Sequence, residues 1–227
     1  MPLHTDRQYE EELQKLRAKV LEMGGVVEKQ IGDAMASLVE RDSAHARAVI
    51  ERDHMVNYLD VAVDEACVRL LALHQPAARD LRLIMTSMKI STDLERIGDI
   101  AENICERALE LNQEPPLHLP VDLSRMADWA RSMLRDSLDA FVREDTELAL
   151  QVCQRDDFID DLTAQIFRDM LAYMAQDSQT VGRAIRILFL AKYLERIADH
   201  ATNIAEMVIY MVKGKSIRHM SPPPSSI

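Results

Sequence analysis

Apolar residues recur along most of the chain at i, i+3, i+4 and i+7, the spacing that lines one face of an α-helix. Leu59, Ala62, Val63, Ala66 and Leu70 make one such stripe, and Leu194, Ile197, Ala201, Ile204 and Val208 make another. Breaks divide the pattern into six segments, at about 7–41, 43–74, 77–112, 122–143, 146–176 and 179–213. Asp42-Ser43, Asp145-Thr146 and Asp177-Ser178 bring side-chain acceptors to three helix starts. Gln75-Pro76 ends one segment, and Pro115-Pro116 with Pro120 makes the strongest break. Gly214, between Lys213 and Lys215, suits a helix C-terminus. Helices of about 30 residues run about 45 Å, and short loops make them antiparallel neighbours. The pattern therefore predicts an all-α protein of six long helices.

The segments repeat. Residues 37–53 align with 140–156 and match at Val39/Val142, Asp42/Asp145, Ala46/Ala149, Val49/Val152, Arg52/Arg155 and Asp53/Asp156. Further on, LERIGDIAENICE (94–106) and LERIADHATNIAE (194–206) share nine of thirteen residues. Shared helical composition does not hold Leu-Glu-Arg-Ile-x-Asp in register over such a length, so the chain reads as an internal duplication. The expected organisation is a three-helix unit over 1–114, a Pro-rich linker over 115–121, a second three-helix unit over 122–215, and a disordered tail over 216–227.

Composition agrees and narrows the function. Of 227 residues 48% are hydrophobic but only 4% aromatic, and six are Gly, which disfavours a sandwich or barrel. The net charge of −11 disfavours nucleic acid, whose binding needs phosphate neutralisation. Cys67, Cys105 and Cys153 are odd in number and widely spaced, so buried thiols are expected rather than disulfides or a zinc site. The polar start, MPLHTDRQYEEELQKL, does not read as a secretory leader, and no apolar run is long enough to cross a bilayer. A cytoplasmic protein without membrane insertion is expected.

The candidate chemistry is acidic. At 100° per residue from Glu95, Asp99 falls at about 40°, Glu102 at about 340° and Glu106 at about 20°, opposite the apolar side of the helix. The second copy carries Glu195, Asp199, Thr202 and Glu206. Like charges at i, i+4 repel by about 0.2–0.5 kcal/mol, yet the pair recurs. The preceding segments add Asp53, Asn57, Asp60 and Asp64 in one unit, and Asp156 and Asp160 in the other. Carboxylates from two helices can share a hard cation; a stripe merely solvated on an outward face is the competing reading. His200 lies off the stripe and reads as a helix-interface residue. One Glu-x-x-His, Glu51 to His54, has no match in the other half, so a di-iron oxidase bundle is not supported. No nucleophile elbow or Gly-rich phosphate loop occurs.

The paired Leu-Glu-Arg-Ile-Gly-Asp (94–99) and Leu-Glu-Arg-Ile-Ala-Asp (194–199), with Gln75-Pro76-Ala-Ala-Arg-Asp80-Leu81-Arg82 and Tyr210-Met-Val-Lys-Gly214, resemble the PhoU family of phosphate-transport regulators over about residues 7–215. That resemblance implies two three-helix bundles and no enzymatic activity. It implies a negative regulator of the phosphate-starvation response and of high-affinity phosphate uptake. Such a protein acts as an adaptor between the phosphate ABC transporter ATPase subunit and the sensor histidine kinase of the regulon, as a homodimer. Some relatives carry metal on the Glu-x-x-x-Asp motif. Carried over, that gives Glu95, Asp99, Glu195, Asp199, Asp156, Asp160 and Asp53 as ligands of a divalent metal (Fe, Zn, Mn or Mg). Asn57 departs from a carboxylate pair and weakens the site that uses Asp53. The alternative function is a metal store or metal-dependent enzyme on a helical dimer scaffold.

Overall fold

The computed structural model describes residues 3–116 and 122–215. Eight α-helices fill most of them: α1 (Leu3–Val39), α2 (Ser43–Arg52), α3 (His54–Leu73), α4 (Ala78–Asn112), α5 (Leu123–Arg143), α6 (Thr146–Gln154), α7 (Asp156–Gln176) and, after a 3-10 turn at Ser178–Thr180, α8 (Val181–Lys213). The expected helix starts are capped by side chains. Asp42 accepts from the amides of Ala44 and His45, Asp145 from Glu147 and Leu148, and Asp177 from Gln179. Gly214 closes α8 at φ 67°.

Two of the six predicted segments are each broken in two. At Asp53 and Arg155 the amide reaches back three residues, to the carbonyls of Ile50 (3.2 Å) and Val152 (3.0 Å). The dihedrals stay helical there, so the apolar spacing runs on through the break and hides it. Asp53 is held in the break by a tertiary bond, donated by Gln30 Nε2 at 3.0 Å. The linker residues 117–121 and the tail 216–227 lie outside the described residues.

In the first half α1 and α4 run parallel, tied by Tyr9 to Asp80 at one end and by Arg41 to the Leu111 carbonyl at the other. The α2–α3 segment runs back between them, with His74 beside Glu12 and Asp53 beside Gln30. The second half repeats this with α5, α6–α7 and α8. The two bundles meet through antiparallel contacts of α4 with α8 and of α1 with α5. Arg82 Nε donates to the Met211 carbonyl at 2.9 Å, and Arg186 Nε to Glu110 at 2.8 Å. That register centres the crossing on Ile97 and Ile197, matched residues of the repeat and both fully buried. On the α1–α5 side a Cβ at Gly24 would stand 2.4 Å from Leu138 Cδ1, so only glycine permits this approach without a shift of Leu138. Among the described residues, no helix is long and apolar enough to cross a membrane.

Arg41 and Glu144, equivalent positions of the repeat, both take left-handed dihedrals (φ 56° and 54°). Neither is glycine, so ion pairs and carbonyl bonds hold them there. Glu144 accepts from Arg17 Nη2 at 2.5 Å and from Arg79, and Arg41 Nη2 donates to the carbonyls of Leu111 and Glu114.

Candidate functional site

The acidic stripe of α4 is only partly covered, with Asp99 and Glu106 exposed. Helix α3 lies along its edge, and Glu95 and Glu102 are half-buried. Asp53, delivered by the break before α3, meets Asp99 and Glu102 with one oxygen of each within 4.8 Å of the others. In the second half Asp160 of α7 meets Glu195 and Asp199 of α8 in the same way. The expectation of a carboxylate cluster between two helices is met once in each bundle.

The two clusters are not copies. Asp53 corresponds to Asp156, Asn57 to Asp160, Glu95 to Glu195, Asp99 to Asp199 and Glu102 to Thr202. Only the Asp99/Asp199 position serves both. Where Asn57 stands in place of a carboxylate, the cluster forms with Asp53 and Glu102. Where Thr202 stands in place of Glu102, it forms a turn nearer the helix start, with Asp160 and Glu195. Glu95 therefore sits beside the first trio rather than in it, and Asp156 beside the second, accepting a hydrogen bond from the Thr202 hydroxyl at 3.2 Å. Glu102 belonged to the stripe but not to the ligand set read from the sequence. The signal that could have found it is the missing acid at Asn57.

Burial and mutual repulsion raise these carboxyls. Burial comes first for Glu95, then Asp99 and Asp60. Burial and then Asp53 raise Asp99 and Glu102. Burial and then Glu195 raise Asp160 and Asp199. Asp156 is pushed up to about 6 by burial and then by Asp199, against the pull of the Thr202 bond. Compensation differs between halves. Asp53 takes an amide on each oxygen, from Gln30 and Asn57, both at 3.0 Å. Gly98 leaves room for this, since a Cβ there would stand 3.2 Å from Val56 and 3.4 Å from Asp53 Oδ1. In the second half Lys192 pairs with Glu195. Gln30 Oε1 and Asp60 Oδ1 are buried without a hydrogen-bond partner. Both are acceptors near the first cluster, Gln30 bonded to Asp53 and Asp60 beside Glu95. Oxygen donors gathered from two helices fit a hard divalent ion, with water completing its shell.

Other candidates drop out. His200 is an interface residue, its Nδ1 2.7 Å from Asp93 Oδ1 of α4, with both residues 9% exposed. His54 bonds the Glu51 carbonyl of its own turn. Burial pushes the thiols of Cys67 and Cys105 up to about 12 and that of Cys153 to about 11, which leaves them poor nucleophiles.

One duplicated unit, folded twice into a three-helix bundle and carrying a carboxylate cluster in each copy, defines a tandem acidic helical-bundle protein. The family model for the PhoU domain matches residues 20–108 and again 123–208. A protein of Pseudomonas putida named phosphate-specific transport system accessory protein PhoU homolog is 44% identical over 96% of this chain and 85% of its own length. The Escherichia coli K12 protein named phosphate-specific transport system accessory protein PhoU is 42% identical over 96% of this chain and 90% of its own. The crystal structure of PhoU from Pseudomonas aeruginosa superposes with a TM-score of 0.85 at 41% identity, covering 91% of this chain and all of that one. The structure of the phosphate transport system regulatory protein PhoU from Streptococcus pneumoniae gives 0.84 at 29% identity, covering 92% and 98%. The chain belongs to the PhoU family.

Proposed function

We propose that this protein restrains high-affinity phosphate uptake and the phosphate-starvation response. It does so as a non-enzymatic cytoplasmic adaptor between the phosphate ABC transporter ATPase and the sensor histidine kinase, working as a homodimer. The observation that carries this is near full-length similarity to proteins named as accessory to phosphate-specific transport. A clean gene deletion tests it. The expected result is alkaline phosphatase made in high phosphate together with raised phosphate uptake. A deletion strain with repressed phosphatase and ordinary uptake overturns the reading.

The two trios of converging carboxylates favour a second, compatible role. Each cluster takes a divalent cation: Asp53, Asp99 and Glu102 with Glu95 nearby, and Asp160, Glu195 and Asp199 with Asp156 nearby. Elemental analysis of protein purified without chelator or metal-affinity tag is expected to find Mn, Fe, Zn or Mg. Less than about a tenth of an ion per chain, with melting unchanged by added Mn²⁺, removes this role.

A further inference from the structure

The two bundles pack differently at one matched place. The match of 37–53 with 140–156 extends back along α1 and α5, setting Met23 against Met126, Val26 against Trp129, Lys29 against Ser132 and Asp33 against Asp136. The match holds in space. Asp33 pairs with Arg52 at 3.6 Å, and Asp136 with the equivalent Arg155 at 2.5 Å. Beside each ion pair the next long helix begins, carrying Met55 in one copy and Phe158 in the other. In the second bundle rings fill the place. Trp129 and Phe158 meet with centroids 4.9 Å apart, and Trp129 packs against the core. In the first bundle Val26 and Met55 are smaller. A half-open pocket of about 210 Å³ stays there, with Val26, Val49 and Met55 as its apolar walls.

The rim changes charge in the same comparison. Lys29 stands where the second copy has Ser132, and His54 where it has Asp157, so one cation is gained and one anion lost. Lys29 is exposed and has no ion-pair partner among the described residues. Asp33 is the acid that lines the pocket, and it already faces Arg52 and His45. In a chain of net charge −11 this mouth therefore favours an anion beside the ring. Size decides what carries the ring. Sites for small molecules run to about 300–1,000 Å³. A pocket of about 210 Å³ seats one ring, as a single anchoring side chain does at an interface. The second bundle shows that a protein side chain fits, because its own Trp129 lies at the matched position.

We propose that the pocket between α1, α2 and α3 seats one aromatic side chain of a partner protein, with acidic residues of that partner beside Lys29. This deepens the adaptor reading by assigning a contact and a partner chemistry. Its test does not use the deletion phenotype, so either can fail alone. The probe is a fluorescein-labelled peptide, Glu-Asp-Trp-Asp-Glu, titrated by anisotropy into the full-length chain. Saturable binding is expected, at least about tenfold weaker when the peptide carries Ala for Trp. Val26→Trp with Met55→Phe gives the first bundle the rings of the second and is expected to weaken binding at least about tenfold. Lys29→Ser with His54→Asp gives it the second copy's rim and is expected to weaken binding and reduce its salt dependence. Val61→Ser, on an exposed part of α3, is expected to change nothing. Circular dichroism checks that each variant folds. Met55→Phe alone, at a position 48% exposed, replaces the double variant if that misfolds, with at least about threefold weaker binding expected. Undiminished binding by the ring-filled variant overturns the proposal. So does equal binding of the Ala peptide, or no saturable binding at all. Displacement of the peptide by indolepropionate at a lower Kd than the peptide's own assigns the pocket to a free aromatic acid and overturns the partner. Sedimentation showing that the ring-filled variant loses a wild-type dimer assigns it to a second copy and also overturns it.

Discussion

Replacing His200 with Leu is expected to cost about 3 kcal/mol, read as a lower urea midpoint with unchanged slope. His200 and Asp93 meet at 2.7 Å where α4 crosses α8, the largest contact between the two bundles. Around them the crossing is apolar, with Ile90, Leu94, Ile97, Ile197, Ala201 and Ile204 fully buried. Leucine at 200 fills a similar volume but leaves the Asp93 carboxylate in this surrounding without its partner. Removing one member of a buried pair costs about 3–5 kcal/mol, more than the pair itself contributes. The low end applies because Asp93 also borders a surface groove with Lys89, Thr92 and Arg96. The double variant His200→Leu with Asp93→Leu strands nothing and is expected to recover most of the loss. A loss below about 1 kcal/mol in the single variant would mean that water or Lys89 takes over the role of His200.

The metal-free protein is expected to grow less stable as pH rises from about 4 to about 6, and Asp156→Asn to remove much of that slope. The Asp156 carboxyl is pushed up to about 6 in the folded chain, against about 3.9 for an unfolded Asp. Between those values the native state holds a proton that the unfolded state has lost. Stability is therefore higher on the acid side and falls as the folded carboxyl ionises. A shift of about two units corresponds to nearly 3 kcal/mol before screening. Asp156 is only partly buried, so about 1–2 kcal/mol is the reasonable expectation. Asparagine keeps an acceptor for the Thr202 hydroxyl and carries no charge toward Asp199. At pH 7, in chelator, the variant should thus be about 1–2 kcal/mol more stable than the parent. Other carboxyls titrate in both directions, with Glu12, Asp42 and Glu144 lowered by their partners. The difference between parent and variant across pH is therefore the informative quantity. The comparison is made in chelator, because a divalent ion held by Asp160, Glu195 and Asp199 also stabilises the folded chain. At a hundredfold excess over its Kd it stabilises the parent by about 2.7 kcal/mol. A variant no more stable than the parent in chelator would show Asp156 to be well solvated.

Much of this molecule was legible in its residues, and the rest failed for identifiable reasons. Apolar spacing and the Asp caps located the helices because both act within a turn or two of chain. The repeat was visible because duplication left Leu-Glu-Arg-Ile-x-Asp in matched places. The breaks at Asp53 and Arg155 were not visible. A single tightened turn barely alters side-chain direction, and the groups that hold Asp53, Gln30 and Gly98, lie far along the chain. The same distance hid the ligand sets. Spacing on one helix named Glu95 and Asp99 together, but which carboxylates converge depends on how α3 slides along α4 and α7 along α8. Asn57 and Thr202 then move the cluster by a turn in opposite senses. His200 was legible as an interface residue from its angle, while its partner Asp93 was not. The helical class, the duplication and the acidic character can be read from the residues alone, since they rest on local geometry and on composition. Which acids meet, which buried polar groups pair across the bundles and which aromatic residues stay uncovered emerge from the packing of the helices. Those outcomes depend on helix register, and register is set by the summed packing of side chains distant in the chain.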